Sequence, residues 1–379
     1  MADTTIDKVL AAAVLPEHAA VTAIAELGPD VVAEAVLAEV AALTQVLPGP
    51  GEKVPVQWEL AFGGDALAYV MTVGGQGVTV EQGRVDSPDV VVAQDLSELL
   101  RSVYGEAGKH DATREVTLHA PDGPPESDPD GSLARRRALA ISAGRTASHA
   151  ASRHPADLTE LAISAGADKW GRHYYTDVYE RYFGALRDRQ VRVLEIGCDQ
   201  GESALMWTHY FRRGRLVRVD SRDKAIMTPP RAVAVHGAQD DEDFLAGVAR
   251  DHGPFDVIID DGSHVNSHVT TSFTALFPHL RPGGLYVVED VGASYWPGWG
   301  GSSTDLSSPS TTVGFVKTLL DGLNYQQHVR EDDDYEPTLT ERTVSGVCMH
   351  HNIVFVEKSR NTQRGAPKWV TNAKSALFL

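Results

Sequence analysis

Acidic side chains gather at two places in the second half of the chain. The string DDGSH at 260–264 ends one apolar, β-branched run, and Glu289-Asp290 ends the next. Carboxylates that converge on one point repel each other unless a cation lies between them, and oxygen ligands favour a hard ion such as Mg²⁺ over zinc. His264 carries a side chain suited to proton transfer near neutral pH. We therefore expect metal-assisted base chemistry here, with helix caps and a solvated strand end as the alternative explanation.

A glycine-containing string precedes this acidic region. In VRVLEIGCDQGES at 191–203, Glu195 stands two residues before Gly197, and Gly201 follows four residues later. The spacing differs from the dinucleotide fingerprint G-x-G-x-x-G, and an acid at its head would repel a pyrophosphate. The same acid would attract the ammonium group of S-adenosylmethionine. The string therefore predicts a binding loop for that cofactor, with plain turn glycines as the alternative.

Polar residues after the next two apolar runs fit the rest of this cofactor. Asp220 ends RLVRVD, where its carboxylate can accept both ribose hydroxyls, although it could also be a simple helix cap. Gln239 and Asp240 follow RAVAVHGA and are candidates for polar contacts with the adenine. Together with the glycine string, these residues favour a binding site for the nucleoside part of the cofactor.

The elements needed to position these residues are visible from about residue 155 onward. Apolar strand-like runs alternate there with helical segments, which predicts a doubly wound, mainly parallel sheet. Ligands bind such sheets at the carboxyl ends of the strands, where all of the residues named above fall. Near the C-terminus, SGVCMHH and IVFVEKS are expected to pair through His351-Asn352 as an antiparallel edge.

The first part of the chain has a different pattern. Residues 5–47 predict short helices broken at Pro16 and Gly28-Pro29, and residues 54–94 predict an antiparallel sheet followed by a helix capped by Asp95 or Ser97. The stretch PDGPPESDPDG cannot form a packed element. We expect an N-terminal α+β auxiliary domain at 1–120, a linker and connecting helix at 121–152, and the cofactor-binding domain at 153–379.

Composition narrows the classes of partner. The 379 residues include 34 Lys and Arg against 52 Asp and Glu, a net charge of −18 that disfavours nucleic acid. No apolar run approaches the roughly 20 residues that a membrane span needs. Two cysteines suit a reducing compartment, so we expect a cytoplasmic protein.

These motifs together resemble the metal-dependent deoxysugar O-methyltransferases of macrolide antibiotic pathways. The similarity spans about residues 155–370 and rests on LEIGCDQGES and four further strings: ADKWGRHYYTDVYERYF, VIIDDGSH, VVEDVGASYW and RGAPKWV. It implies a class I methyltransferase domain with a Rossmann-like sheet and a homotetramer with composite active sites. It also implies that the enzyme uses Mg²⁺ and S-adenosylmethionine as cofactors to methylate a small-molecule glycoside in antibiotic biosynthesis.

The resemblance also implies roles for particular residues. Asp261, Glu289 and Asp290 would hold Mg²⁺, and His264 would take the proton from a sugar hydroxyl. The string DKWGRHYYT would close over the cofactor, unless its residues are ordinary helix packing; its candidates are Lys169, Trp170, His173, Tyr174 and Thr176. The aromatic residues of the loop after Asp290 would form a lid over the sugar, unless the loop is disordered; they are Tyr295, Trp296 and Trp299.

Two rival functions are open at the level of sequence, together with a second possible role for the first domain. A nicotinamide-dependent oxidoreductase is disfavoured by the missing G-x-G-x-x-G. A noncatalytic carrier or assembly protein would keep the cofactor pocket without turnover. The order of elements in the first domain also resembles the sterol-carrier lipid-binding fold, which suggests a pocket for an aglycone.

Overall fold

The computed structural model describes residues 3–75, 77–106, 110–120, 128–152, 157–222, 228–329 and 334–366. The chain divides into two compact units. The first unit holds Met1–Gln190, Leu205–Arg213 and Thr228–Arg231, and the second holds Val191–Ala204, Gly214–Met227 and Ala232–Leu379. Residues 153–190 thus group with the first unit, whereas the sequence pattern assigns them to the second domain; the domain boundaries stay a prediction.

The first unit begins with three helices, α1 (Asp3–Ala12), α2 (Glu17–Leu27) and α3 (Pro29–Thr44). Their breaks confirm the prediction from Pro16 and Gly28-Pro29. Gly28 has φ +94°, a conformation that L side chains rarely adopt, and Pro29 takes the first helical position, where its missing N–H costs nothing.

A five-stranded sheet follows, and it corrects one prediction. Its strands are β1 (Val54–Phe62), β2 (Asp65–Val73), β3 (Thr79–Gln82), β4 (Val90–Asp95) and β5 (Glu115–Leu118), in the order β3-β2-β1-β4-β5. The antiparallel sheet expected for residues 54–94 is wrong in one pairing, because β4 lies beside β1 and runs parallel to it. Alternation of apolar residues predicts which face of a strand is buried, but it carries no information about the neighbouring strand.

Four helices complete the described part of the first unit before the second sheet begins. They are α4 (Leu96–Tyr104), α5 (Ser132–Ala150), α6 (Leu158–Ala165) and α7 (Thr176–Phe183). Asp95 is the N-cap of α4, since its side chain accepts hydrogen bonds from the backbone N–H groups of Ser97 and Glu98. Most of the linker string at 121–131 lies outside the described residues.

The second unit is built on a seven-stranded sheet. Its strands are β6 (Arg192–Ile196), β7 (Arg215–Asp220), β8 (Ala232–His236), β9 (Phe255–Asp260), β10 (Leu280–Glu289), β11 (Val344–His350) and β12 (Ile353–Lys358). The order is β11-β12-β10-β9-β6-β7-β8. Five neighbouring strands of this sheet are parallel, namely β10, β9, β6, β7 and β8. Strand β12 is antiparallel to both β10 and β11. The predicted antiparallel hairpin at His351-Asn352 is therefore confirmed.

The helices that follow the strands are α8 (Glu202–Tyr210), α9 (Glu242–His252), α10 (Asn266–Leu276), α11 (Thr312–Leu323) and α12 (Leu339–Thr343). The order of the strands reverses between β6 and β9, so the crevice expected for a ligand lies beyond their carboxyl ends. Within the described ranges, no helix is both long and apolar enough to cross a membrane.

Candidate active site

The strand register brings the glycine loop and the acidic string to one edge of the sheet. Asp260 is the register partner of both Ile196 and Val288, so β6, β9 and β10 end at the same level. The backbone N–H of Asp261 donates to the carbonyl of Ile196 at 3.0 Å. This arrangement is what the carboxyl-end rule predicts for a doubly wound sheet.

Three side chains at this edge form an acidic cluster. One ligand atom each from Asp261, His264 and Asp290 lies within 4.8 Å of the others. His264 Nε2 is 3.7 Å from Asp290 Oδ2, and these two side chains are 25% and 19% exposed. The two carboxylates offer oxygen ligands that fit a divalent cation, and the partly exposed imidazole lies beside them as the candidate base.

The cluster differs from the predicted ligand set at one position. Glu289 is the last residue of β10 and is 2% exposed, and it is not one of the three clustered side chains. His264, the candidate base, is the third member instead. The assignment of Glu289 as a ligand therefore stays a prediction.

Asp260 faces away from the acidic cluster. Its Oδ1 accepts a hydrogen bond from Gln239 Nε2 at 2.6 Å, while its Oδ2 accepts from Tyr286 at 3.3 Å and from the hydroxyl of Ser272. Burial raises the pKa of Asp260 to about 7. Consecutive side chains at a strand end point to opposite sides. Asp260 is therefore hydrogen-bonded to buried residues, while Asp261 belongs to the cluster.

Gln239 links this interior network to the acidic loop. Its Oε1 accepts from the backbone N–H of Ser263 at 2.9 Å and from the Ser263 hydroxyl at 3.0 Å, and that hydroxyl also lies 2.9 Å from His268 Nδ1. Asp240 Oδ2 lies 3.6 Å from His268 Nε2. Both ends of the Gln239 amide are thus hydrogen-bonded within the unit, and the adenine contacts of Gln239 and Asp240 stay predictions.

The glycine loop turns tightly beside the acidic string, and its contacts with a cofactor stay a prediction. Gly197 has φ +85°, and a Cβ there would collide with the carbonyl oxygen of Asp261, so glycine is required for the close approach of the two loops. Gly201 has φ +103°. Asp220 fastens the loop through Oδ2, which accepts from the backbone N–H of Cys198 at 3.0 Å. Glu195 is fully buried on β6.

The string predicted to cover the cofactor belongs to the first unit. Trp170 and Tyr174 form a β-bridge with their rings edge to face at 5.0 Å, and Tyr174 is 66% exposed. Thr176 is buried, with its hydroxyl 2.8 Å from that of Thr159. Lys169 is also buried, with Nζ 3.0 Å from Asp168 Oδ1, and His173 stacks on Tyr175. The cofactor contacts of these residues stay predictions.

The aromatic loop after Asp290 is hydrogen-bonded to the start of α10. Tyr295, Trp296 and Trp299 are all more than a third exposed, and the two tryptophan rings meet edge to face at 5.3 Å. Buried Asn266 holds the loop, because its Nδ2 donates to the carbonyls of Ala293 at 3.2 Å and Trp299 at 2.7 Å. The proposed contact of this loop with a substrate stays a prediction.

Asn266 is a residue that pattern analysis of the sequence misses. Its Oδ1 accepts from the backbone N–H of Thr312 at 2.7 Å, so one side chain joins the loop to the start of α11. An asparagine at the first turn of a helix normally indicates a cap, and the sequence carries no signal that this one reaches residues 27 to 46 positions away.

The strand order, the antiparallel β12 next to β10, and the glycine loop at the carboxyl edge define a class I methyltransferase domain. Two family models match the chain: "MycE methyltransferase N-terminal" over residues 6–114 and "Methyltransferase domain" over residues 194–291. Together they cover both parts of the predicted architecture.

Individual proteins give the same picture. Demethylmacrocin O-methyltransferase of Streptomyces fradiae is 38% identical, over 93% of this chain and 91% of that protein. Mycinamicin VI 2''-O-methyltransferase of Micromonospora griseorubida is 36% identical, over 87% and 86%. The solved structure of MycE methyltransferase from the mycinamycin biosynthetic pathway, in complex with Mg and SAH, superimposes with a TM-score of 0.85 at 31% identity, over 98% of this chain and 97% of that one. The chain belongs to this family of O-methyltransferases, which confirms the resemblance found in the sequence.

Proposed function

We propose that the protein is an S-adenosylmethionine- and Mg²⁺-dependent O-methyltransferase that methylates a sugar hydroxyl of a glycosylated natural product in antibiotic biosynthesis. The observation that carries the proposal is the cluster of Asp261, His264 and Asp290 at the sheet edge next to the glycine loop. Its relatives support the class of substrate, because they are named as O-methyltransferases of demethylmacrocin, of mycinamicin VI and of a rhamnosyl tetracenomycin-C. One solved structure of MycE is a complex with Mg, SAH and mycinamycin VI.

The side chains of the cluster would have two tasks, which are to bind the metal and to accept the hydroxyl proton. Asp261 and Asp290 would supply carboxylate oxygens to Mg²⁺, with Glu289 as a further predicted ligand. A bound Mg²⁺ would supply the positive charge that makes a sugar hydroxyl more acidic, and S-adenosylmethionine would supply the methyl group. His264 Nε2 would take the hydroxyl proton, and its 3.7 Å distance from Asp290 Oδ2 lets that carboxylate stabilise the charged imidazole.

Other residues would bind and orient the two reactants. Glu195, Gly197, Gly201 and Asp220 line the cofactor loop, and the further predicted cofactor contacts are Gln239, Asp240, Tyr174 and Thr176. The exposed rings of Tyr295, Trp296 and Trp299 would contact the substrate. Alignment of the hydroxyl with the methyl group supplies a large share of the rate in such transfers, so a loop fastened by the Asn266 hydrogen bonds suits this role.

The proposal is tested by incubating the protein with S-adenosylmethionine, Mg²⁺ and a panel of desmethyl macrolide and anthracycline-type glycosides. Mass spectrometry should detect the gain of one methylene mass on the sugar fragment, together with S-adenosylhomocysteine. The same reaction in EDTA should give no product until Mg²⁺ is restored. Full turnover in EDTA would contradict the metal requirement.

The two rival functions give other outcomes in the same experiment. A noncatalytic carrier would bind S-adenosylmethionine in a calorimetric titration but methylate no glycoside. A nicotinamide-dependent enzyme would bind NAD(P)H tightly and S-adenosylmethionine not at all. Either result would overturn the proposal.

We also infer a homotetramer with composite active sites in the cytoplasm, in which the N-terminal domain serves assembly. The family resemblance supports the assembly, and Cys198 and Cys348 are both free thiols, which fits a reducing compartment. Light scattering coupled to gel filtration should give four times the chain mass of 40.9 kDa. A monomeric species with full turnover would contradict this inference.

A further inference from the structure

The turn between β11 and β12 reaches the acidic cluster. Its second residue, Asn352, donates a hydrogen bond from Nδ2 to Asp290 Oδ1 at 2.7 Å. The hairpin forms the edge of the sheet, 62 residues away from Asp290 in sequence. Neither the methyltransferase family model, which ends at residue 291, nor the predicted site includes this turn.

Two more hydrogen bonds hold Asn352, one at its side chain and one at its backbone. Its Oδ1 accepts from the backbone N–H of Gly292 at 2.7 Å, and its backbone carbonyl accepts from Val291 at 3.3 Å. Since the oxygen end of the amide is held by an N–H donor, the nitrogen end must face the carboxylate of Asp290. Asn352 thus contacts three consecutive residues that begin at Asp290.

The backbone at both ends of this contact adopts a rare conformation. Asp290 has φ +52° and Asn352 has φ +65°, in the left-handed region that non-glycine residues seldom occupy. Such conformations cost free energy, and they persist where the surroundings hold them in place. The Asn352 contacts supply that hold directly after β10 ends.

We propose that Asn352 is a positioning residue for the metal site, an inference that rests on the proposed function. It occupies Oδ1 of Asp290 and thereby leaves Oδ2, the oxygen 3.7 Å from His264, directed into the cluster. A carboxylate held in this way loses less side-chain entropy when it binds a cation. Hydrogen bonds to ligating side chains commonly contribute 10- to 100-fold to metal affinity.

The competing explanation is that Asn352 is only a turn residue. Asparagine tolerates the left-handed conformation, and a two-residue hairpin turn often contains it. Glycine meets the same backbone requirement without a side chain. The variant Asn352→Gly therefore removes the contact with Asp290 and keeps the turn, which separates the two explanations.

The test measures Mn²⁺ binding by electron paramagnetic resonance on the full chain, without cofactor or glycoside. We expect Asn352→Gly to weaken Mn²⁺ binding about 10- to 100-fold while the melting temperature changes little. In turnover, the Mg²⁺ concentration for half-maximal rate should rise, and saturating Mg²⁺ should restore most of kcat. The matched control His351→Gly places a glycine at the neighbouring, exposed turn position and should bind Mn²⁺ like the wild type.

A second variant approaches the same contact from the other side. A Cβ at Gly292 would lie 2.7 Å from Asn352 Oδ1, so Gly292→Ala should displace the amide and weaken Mn²⁺ binding in the same direction. This variant keeps Asn352, and it decides the question if Asn352→Gly fails to fold. Wild-type Mn²⁺ affinity in the folded variants would overturn the positioning role alone, whereas a wild-type protein that binds no Mn²⁺ would overturn the proposed metal dependence.

Discussion

Each unit of the molecule contains a cluster of acidic and basic side chains, and the two clusters are built differently. In the first unit, Glu39 is buried and receives two hydrogen bonds from Arg231, at 2.8 and 3.0 Å. Tyr104 donates to the same carboxylate at 3.3 Å, and His209 Nδ1 lies 3.7 Å away. Although burial by itself would raise it, the attraction of Arg231 lowers the pKa of Glu39.

The cluster of the second unit brings together two carboxylates and a histidine. Asp261, His264 and Asp290 include no permanently charged cation among themselves, and all three are partly exposed. Arg231 compensates the charge of Glu39, whereas the carboxylates of the second cluster offer partly exposed oxygens to a cation from solution. An acidic cluster is a candidate for metal chemistry when its own members do not neutralise it and solvent reaches it.

We call the cluster of Asp261, His264 and Asp290 the open cluster and the cluster around Glu39 the closed cluster. Removal of one carboxylate from the open cluster should have the largest effect. Asp261→Asn should lower turnover by on the order of 10³-fold or more, because the several kcal/mol that a bound metal supplies are lost together with the benefit of the base. The melting temperature should stay the same or rise, since two like charges no longer lie close together. Turnover assays and thermal unfolding measure both, with exposed Asp321→Asn as the control. A destabilised Asp261→Asn with normal specific activity would make this cluster structural.

Removal of the histidine from the open cluster should have the next largest effect. His264→Ala should reduce turnover by about 10²- to 10⁴-fold at neutral pH, the usual contribution of a general base. The deficit should shrink as pH rises, because hydroxide then removes part of the protons. Profiles of turnover against pH for the wild type and for His264→Ala test this. The affinity for S-adenosylmethionine should be unchanged. A deficit of equal size at every pH would indicate that His264 only supports the structure.

Substitutions in the closed cluster should lower the free energy of unfolding. Glu39→Ala leaves Arg231 buried without its main anionic partner, and breaking a buried pair in this way costs about 3–5 kcal/mol of unfolding free energy. Glu39→Gln should cost less, because its amide oxygen still accepts one hydrogen bond. Urea unfolding provides the measurement, and Glu34→Ala, exposed on the same helix, is the control. Equal stability of the Glu39 and Glu34 variants would contradict the comparison.

The smallest effect should come from His209 and depends on pH. Burial lowers the pKa of His209 to about 4, below the value near 6.5 expected in the unfolded chain. Between these two pH values the unfolded state therefore binds more protons than the folded state. The free energy of unfolding of the wild type should fall by up to a few kcal/mol as the pH drops from about 6.5 to about 4. His209→Gln should lose less stability over the same range. Parallel urea curves at pH 7 and pH 5 would show it, and identical losses would exclude His209 as a source.

Local signals in the sequence were sufficient for much of this protein. The helix breaks at Pro16 and Gly28, the N-cap Asp95 and the hairpin turn at His351-Asn352 follow from backbone preferences of single residues, which act over a few positions. The parallel order of the second sheet follows from the alternation of strand and helix. Because such sheets bind ligands at one edge, the glycine loop and the acidic strings could be assigned to one site.

Only the tertiary structure decided which side chains meet. The pairing of β1 with β4, the inward orientation of Asp260 and the position of His264 beside Asp290 depend on register and on side-chain direction. Arg231 pairs with Glu39 across 192 residues, and Asn352 reaches Asp290 across 62. Such contacts form when packing brings distant segments together, and no residue preference along the chain encodes the distance between them.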